Sequence, residues 1–454
     1  MMSQERRAVL LVSRLFPPEV GVGGDRPAGL AKHLARSGWQ VTVVSARPAP
    51  DAAVDPGRLV PADVEVLRPA SPDLPRLANG LLFWRVPEER RKCSSRDRAE
   101  AEQMGPGESS AFRRIIDWLS FWLQLPDGCT GWLPPAVRAG IGAARRHRPD
   151  VVFSTGPVWT AHLVGLVLSR LLRRPWVADF RDPWCGSGFQ DVPYPAHRRC
   201  HEALEALVIR NATKITCAWD GICKHLMARY PHKACDMYTV LNGFDPEEMD
   251  ASEPQRLDED RCVLLHAGTF YGPRSPVPLL RALRLFEEMH PAKAKRLLVV
   301  FMGLQEYLGR PLGEIVAQHG VSDLVHLAAA ETHKVSLSRL KGADVALLFG
   351  QSGSESLASV PAKAYEYIGT GKPVLAIGAG TEALEVIRRG GCKVWAAPDS
   401  NPREIASALK EIVEAHASSS LAGGGNSVAR LAFTRTRMAE QLTLALESAC
   451  RKPA

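Results

Sequence analysis

The sequence predicts an α/β protein made of two doubly wound, parallel-sheet halves. Three observations carry this. Apolar runs of four to six residues alternate with helical patterns through most of the chain, as strands buried on both faces require. The alternation pauses at an acidic, polar stretch, Asp250–Asp260, and then restarts. The 454 residues suffice for two or three domains.

The first half opens with strand Ala8–Val12, loop Ser13–Gly24, helix Arg26–Ser37 and strand Val41–Ser45. Asp25 suits the helix cap, Pro27 the first turn and Gly38 the stop. A weaker strand follows at Val64–Leu67. Strands at Val151–Ser154, Val177–Phe180, Lys214–Cys217 and Met237–Val240 are separated by helices Trp159–Leu172, Pro195–Arg210 and Asp220–Tyr230. The second half has strands Cys262–His266, Leu297–Met302, Leu324–Leu327, Val345–Leu348, Val374–Ile377 and Lys393–Trp395, with a helix near Pro402–Glu414. Ser418–Gly425 reads as a flexible joint before a last amphipathic helix, Arg430–Ala449. The expected domains are residues 1–250, 255–424 and a terminal helix, 427–454, with 70–110 a proline-rich excursion that fits neither half.

Composition narrows the function classes. Apolar residues make 45% and charged residues 23% of the chain, ordinary for a soluble globular protein. No apolar run reaches membrane-spanning length, and the N-terminus lacks a signal-peptide core. The ten cysteines follow no metal or disulfide template, so reduced cytosolic thiols and no metal site are expected. The net charge of +8 is spread over short arginine clusters without interleaved aromatics, which argues against nucleic acid. One aromatic, basic segment, Phe112–Leu125, carries Trp118, Phe121 and Trp122 beside Arg113 and Arg114. It reads either as a core helix or as an amphipathic contact to an anionic membrane.

In doubly wound sheets ligands sit beyond the carboxyl ends of the strands. Four such loops carry chemistry. Gly23 and Gly24, after strand one, permit close backbone approach at a helix start. No acidic residue ends strand two, which counts against a dinucleotide enzyme. Asp179-Phe180-Arg181-Asp182-Pro183-Trp184 sets two carboxylates around an arginine at a strand end. Gly268 and Thr269 follow the first strand of the second half, with Arg274 five residues on. The run Val360–Ala376 reads as a helix from Pro361, a Gly369 or Gly371 stop and a buried strand. Lys363 and Glu366 share one face of that helix, beside Tyr365. A helix start holds an anion and a carboxylate one turn in accepts from a ribose, which is equipment for a nucleotide.

The run V-P-x-K-x-x-E-Y-x-x-x-G-K-P-V-L-A, the F-P-P-E and Gly-Gly loop, and D-x-R-D-x-W resemble GT-B glycosyltransferases, close to glycosyltransferase family 4. The resemblance covers most of the chain. It implies two Rossmann-like domains facing a cleft, with the terminal helix crossing back to the first. It implies sugar transfer from a nucleotide-diphosphate sugar, retention of configuration and no metal or other cofactor. The acceptor implied is a glycan or lipid-linked intermediate of surface polysaccharide synthesis, in a cytoplasmic enzyme at the inner face of the membrane. Donor contacts implied are Glu366 to ribose, Lys363 and Arg274 to the diphosphate, and Gly23, Gly24, Gly268, Thr269, Pro361 and Tyr365 around them. Arg181 or Asp182 orients donor or acceptor. Three departures stand out: Thr269 replaces the usual arginine, Ala358 replaces the first glutamate of E-x7-E, and the family's frequent histidine is missing beside Asp182. They keep open a non-catalytic partner of the same fold and, third, a sugar-nucleotide epimerase.

Overall fold

The computed structural model describes residues 6–19, 21–50, 52–55, 60–72, 122, 124–186, 194–270, 274–350, 360–421 and 427–451. The expected 70–110 excursion beyond Pro72, most of 112–125, and Ala358 lie outside the described residues. By contacts the chain divides into two units, Met1–Val240 with Gln441–Ala454, and Leu241–Glu440.

Unit 1 is built on seven strands: β1 (Ala8–Val12), β2 (Gln40–Val44), β3 (Val64–Leu67), β4 (Val151–Gly156), β5 (Trp176–Phe180), β6 (Lys214–Cys217) and β7 (Met237–Thr239). Their order is β3-β2-β1-β4-β5-β6-β7 and every pairing is parallel. Strands β1, β4 and β5 are buried at every position, which is why they read as continuous apolar runs. Between them lie helices α1 (Val22–Arg36), α2 (Leu133–His147), α3 (Thr160–Leu172), α4 (Pro195–Asn211) and α5 (Asp220–Arg229).

Two helices differ from expectation. Helix α1 starts at Val22, so Gly23 and Gly24 occupy its first turn, and Pro27 stands inside it. Helix α2 is absent from the sequence reading. Its Pro134-Pro135 start, Gly140, Gly142 and arginine-rich end hid it, although proline suits a first turn. Gly140 lets α2 approach α3, since a Cβ there would lie 2.7 Å from a Leu168 methyl.

Unit 2 carries β8 (Cys262–Ala267), β9 (Leu297–Met302), a small hairpin of β10 (Glu306–Tyr307) and β11 (Arg310–Pro311), then β12 (Val325–Ala328), β13 (Val345–Phe349), β14 (Val374–Ile377) and β15 (Val394–Ala397). The six long strands run β12-β9-β8-β13-β14-β15, all parallel. The helices are α6 (Pro246–Asp250), α7 (Val277–Met289), α8 (Leu312–Gln318), α9 (His333–Gly342), α10 (Ala362–Thr370), α11 (Thr381–Arg389) and α12 (Pro402–Ala417). Strand alternation splits the core in two. Cys262 and Leu264 pack with α7 and α12, while Val263 and Leu265 pack with α9, α10 and α11.

The stretch expected as a linker, Asp250–Asp260, lies within unit 2. Lys341 donates to the carbonyls of Met249 and Ser252, and Arg256 pairs with Asp344 at 3.2 Å. Polar composition misled here because its charges have partners on the unit. The last helix, α13 (Arg435–Cys450), starts in unit 2 and its residues from Gln441 count with unit 1, where Arg7 pairs with Glu447. Among the described residues no helix is long and apolar enough to cross a membrane.

Candidate functional site

In unit 1 the carboxyl end of β5 meets the first turns of α1. Asp179 is fully buried, and its two oxygens take Arg26 Nε and Nη2 at 2.9 and 2.8 Å, Thr155 Oγ1 at 2.8 Å and Thr216 Oγ1 at 2.7 Å. Burial alone would raise its carboxyl. Arg26 and the two hydroxyls outweigh that and hold it below the ordinary value. Asp179 is therefore a structural anchor that ties α1 to three strands.

Arg181 donates to the Gly23 carbonyl. That acceptor is open because Pro27, four residues on, has no N–H to close the helical bond. The structure thus brings together Gly23 and Arg181, two residues the sequence singled out separately. Burial lowers the Arg181 guanidinium, against the pull of Asp179 and Asp182. Asp182, half-buried, has its carboxyl raised by burial against the pull of Arg181. Among the described residues no hydrogen bond or ion pair occupies it.

The far end of D-x-R-D-x-W is also an anchor. Trp184 is buried, stacks on Trp159 with centroids 5.0 Å apart, and donates to His201 Nδ1 at 3.0 Å. Buried Glu205 accepts from the Cys185 amide and the Tyr230 hydroxyl, both at 2.8 Å. The loop is held at both ends, leaving Arg181 and Asp182 between. His162, buried against Phe180 and bonded through Nδ1 to Ser154 at 2.9 Å, has its pKa lowered by burial to about 3 and stays neutral.

In unit 2 the site centres on α10. Pro361 is its N-cap, not its first residue, and Gly371, at φ +67°, ends it with its amide on the Tyr367 carbonyl. Lys363 and Glu366 stand in its first turns. Tyr365, in contrast, is buried in the core beside Phe433, so its ring faces away from any open surface.

Lys363 Nζ lies 3.4 Å from His266 Nε2. His266 is buried at the end of β8, stacked on Phe270, and its Nδ1 bonds the Leu347 carbonyl at 3.1 Å. A carbonyl only accepts, so Nδ1 carries the proton and Nε2 offers its lone pair to the ammonium. Burial first, then Lys363 and Arg274, push His266 well below its ordinary value, and the ring stays neutral. Burial lowers Lys363 to about 8, with Glu366 raising it and Arg274 lowering it further. Arg274 and Glu366 thus both act on one ammonium. Gly268, at φ +110°, is required beside it: a Cβ there would lie 2.7 Å from Lys363 Nζ. Thr269 is exposed at the mouth of the same loop.

Glu366 Oε1 accepts from His333 Nε2 at 3.1 Å. His333, the first residue of α9, has its other nitrogen 3.8 Å from Glu248, which Arg435 approaches at 3.4 Å. Burial would raise Glu366, but His333, Arg435 and Lys363 outweigh it, so the carboxylate is ionised at neutral pH. Its side chain keeps 31% exposure and a second oxygen for a ligand. Sequence reasoning missed both histidines. The available signals were a histidine closing a buried strand and another opening a helix after β12. Cys262, Asp344 and His416 also converge within 4.8 Å, at the amino end of the sheet and away from these loops.

Residues 23–234 match the family of glycosyl transferase 4-like domains. No curated protein matches the chain by sequence. Among solved structures, sucrose-phosphate synthase from Thermosynechococcus elongatus is 16% identical with a TM-score of 0.63, covering 97% of this chain and 98% of that one. HepE from Anabaena, solved with UDP-glucose, is 15% identical at 0.59, covering 97% and 99%. The lipopolysaccharide outer core galactosyltransferase WaaB is 10% identical at 0.57, covering 97% and 98%. At these identities the likeness is one of fold, the two-sheet GT-B fold. The match to a glycosyl transferase 4-like domain thus falls on the first unit, and the two-sheet architecture of the whole chain is that of GT-B glycosyltransferases.

Proposed function

We propose that this chain is a glycosyltransferase that moves a sugar from a nucleoside-diphosphate sugar to a glycan or lipid-linked acceptor of surface polysaccharide synthesis, at the inner face of the membrane. The observation that carries the reading is Lys363, held against neutral His266 and acted on by both Arg274 and Glu366 at the start of α10. An ammonium, a guanidinium and the N–H groups of a helix start form a receptor for a diphosphate, and the ionised Glu366 accepts from ribose hydroxyls. The neighbour solved with UDP-glucose supports a nucleotide sugar as donor.

Glycosyl transfer passes through an oxocarbenium-like state while negative charge grows on the departing diphosphate. Lys363 and Arg274 stabilise that charge where it develops, each charge-assisted bond contributing about 1.5–3 kcal/mol. In this reading no divalent cation is needed, and a chelator leaves turnover unchanged. Retention of configuration is part of the proposal through the family resemblance. Arg181 and Asp182 orient donor or acceptor from unit 1.

The test is a thermal-shift screen of nucleoside-diphosphate sugars followed by transfer assays on extracted lipid-linked glycans. Stabilisation by one donor, abolished in Lys363→Met, together with transfer, supports the reading. Binding without transfer to any acceptor favours the non-catalytic partner. No stabilisation by any nucleotide sugar overturns the donor site.

A further inference from the structure

We propose that Cys262, Asp344 and His416 form a binding site for a zinc ion at the amino end of the sheet in unit 2. Cys262 opens β8, Asp344 immediately precedes β13 and His416 stands in the last turn of α12. A thiol sulfur, a carboxylate oxygen and an imidazole nitrogen from these three all lie within 4.8 Å of one another. Thiolate, imidazole and carboxylate are the donors zinc takes, whereas calcium and magnesium require oxygen alone. The three stand far apart in the sequence, which hides them from any reading of local cysteine spacing.

The spacing suits a shared ion better than direct bonds. His416 Nε2 stands 3.7 Å from Asp344 Oδ2, too far for a hydrogen bond. Zinc bonds of about 2.0–2.3 Å set tetrahedral ligands about 3.3–3.8 Å apart, so that edge already has the span and the thiol has at most about 1 Å to close. The ligands are held in advance. The Asp344 amide donates to the Val263 carbonyl, and Asp344 Oδ2 accepts from the Val263 amide, both at 2.9 Å. Cys262 is fully buried and closes the bottom of the cluster, while the Asp344 and His416 side chains keep 12% and 20% exposure and leave a path for the ion and a solvent ligand. Arg256 is the competitor, spanning both Asp344 oxygens at 3.2 and 3.3 Å. It has a second carboxylate, Glu259, at 3.2 Å, so it keeps a partner when an ion draws on Asp344. Binding forms a zinc–sulfur bond, breaks the S–H bond and releases that proton to solvent, with no change of oxidation state. The ion would tie the starts of β8 and β13 to the end of α12. These lie at the opposite strand ends from the loops around Lys363, so the ion acts on the stability of unit 2, and either assignment can fail without the other.

The experiment titrates the chelator-treated full chain with Co²⁺, a spectroscopic stand-in, and then displaces it with Zn²⁺. The wild type is expected to show a sulfur-to-cobalt charge-transfer band and the intense d–d bands of a four-coordinate ion. Zn²⁺ removes both and raises the melting temperature, while turnover stays the same with and without it. Cys262→Ala is expected to lose the charge-transfer band. His416→Ala is expected to weaken Zn²⁺ binding more than about 100-fold, since losing even an outer-shell partner costs about 10- to 100-fold. A cooperative melting transition in chelator reports that each variant is folded. Should Cys262→Ala fail to fold, the half-exposed His416→Ala carries the test alone. The assignment is overturned if the wild type shows no charge-transfer band, if the band survives Cys262→Ala, or if His416→Ala binds Zn²⁺ like the wild type. Co²⁺ bound without the band is an adventitious surface ion and overturns it equally.

Discussion

The two units solve opposite electrostatic problems at equivalent sheet edges. In unit 1 the charges at the end of β5 are turned inward: Asp179 is saturated by Arg26, Thr155 and Thr216, and Arg181 is spent in part on a carbonyl that Pro27 leaves open. In unit 2 the charges of α10 stay half-open, with Lys363 resting on a neutral ring and Glu366 steadied through one oxygen only. Closed pairs hold a loop in place. Half-satisfied groups, preorganised by neighbours, are what a ligand can complete.

Breaking a closed pair should cost the most, and it should cost stability. Asp179→Ala takes the bidentate carboxylate away from the buried Arg26 guanidinium, and chemical denaturation is expected to show a loss of about 3–5 kcal/mol. A loss below 1 kcal/mol would mean that the pair is not the anchor described. Opening the second unit should cost activity instead. Arg274→Ala is expected to lower turnover about 10- to 100-fold, the worth of one charge-assisted bond, with little change in melting temperature. Equal rates at saturating and subsaturating donor would remove Arg274 from the site.

A smaller effect separates holding from touching. His333→Ala should raise the donor KM about five- to tenfold, a part of the worth of its hydrogen bond because His333 acts only through the orientation of Glu366, while kcat changes little. His333→Gln, which keeps a donor, should recover part of the loss. A drop in kcat at unchanged KM would contradict a positioning role. The mildest effect is one of pH. With its pKa at about 8, Lys363 loses its charge as pH rises through that value, so donor affinity should fall several-fold between pH 7 and 9. Calorimetric titration at both pH values checks this, and Lys363→Arg should flatten the profile. The sign for stability is the reverse. Burial makes the folded chain bind fewer protons than the unfolded one near this residue, so stability rises with pH from about 8 towards the ordinary lysine value. Lys363→Met should therefore fold at least as well at pH 7 while failing to bind donor.

The sheets were legible because buried parallel strands are continuous apolar runs, and nearly every such run became a strand. Helix α2 was not legible, because its small and proline-rich start mimics a turn and only packing of Gly140 on Leu168 shows it as a helix. In the candidate site, Lys363, Glu366, Gly268 and Arg274 were readable as residue types at strand ends and a helix start. Their neighbours His266 and His333 were not, since they lie 97 and 33 residues away from the side chains they steady. Tyr365 was misplaced for a simpler reason. It follows Lys363 by two positions, and that helical step turns its ring into the core. The roles of Asp179 and Asp182, alike in sequence, separate only when Arg26, distant by 153 residues, claims the first.

The most direct test is a crystal structure with a bound nucleoside diphosphate from the stabilising donor. A diphosphate oxygen is expected in ion-pair range of both Lys363 Nζ and Arg274, with the ribose hydroxyls on the second oxygen of Glu366. A nucleotide bound elsewhere, with Lys363 still resting on His266 and Glu366 untouched, would contradict it.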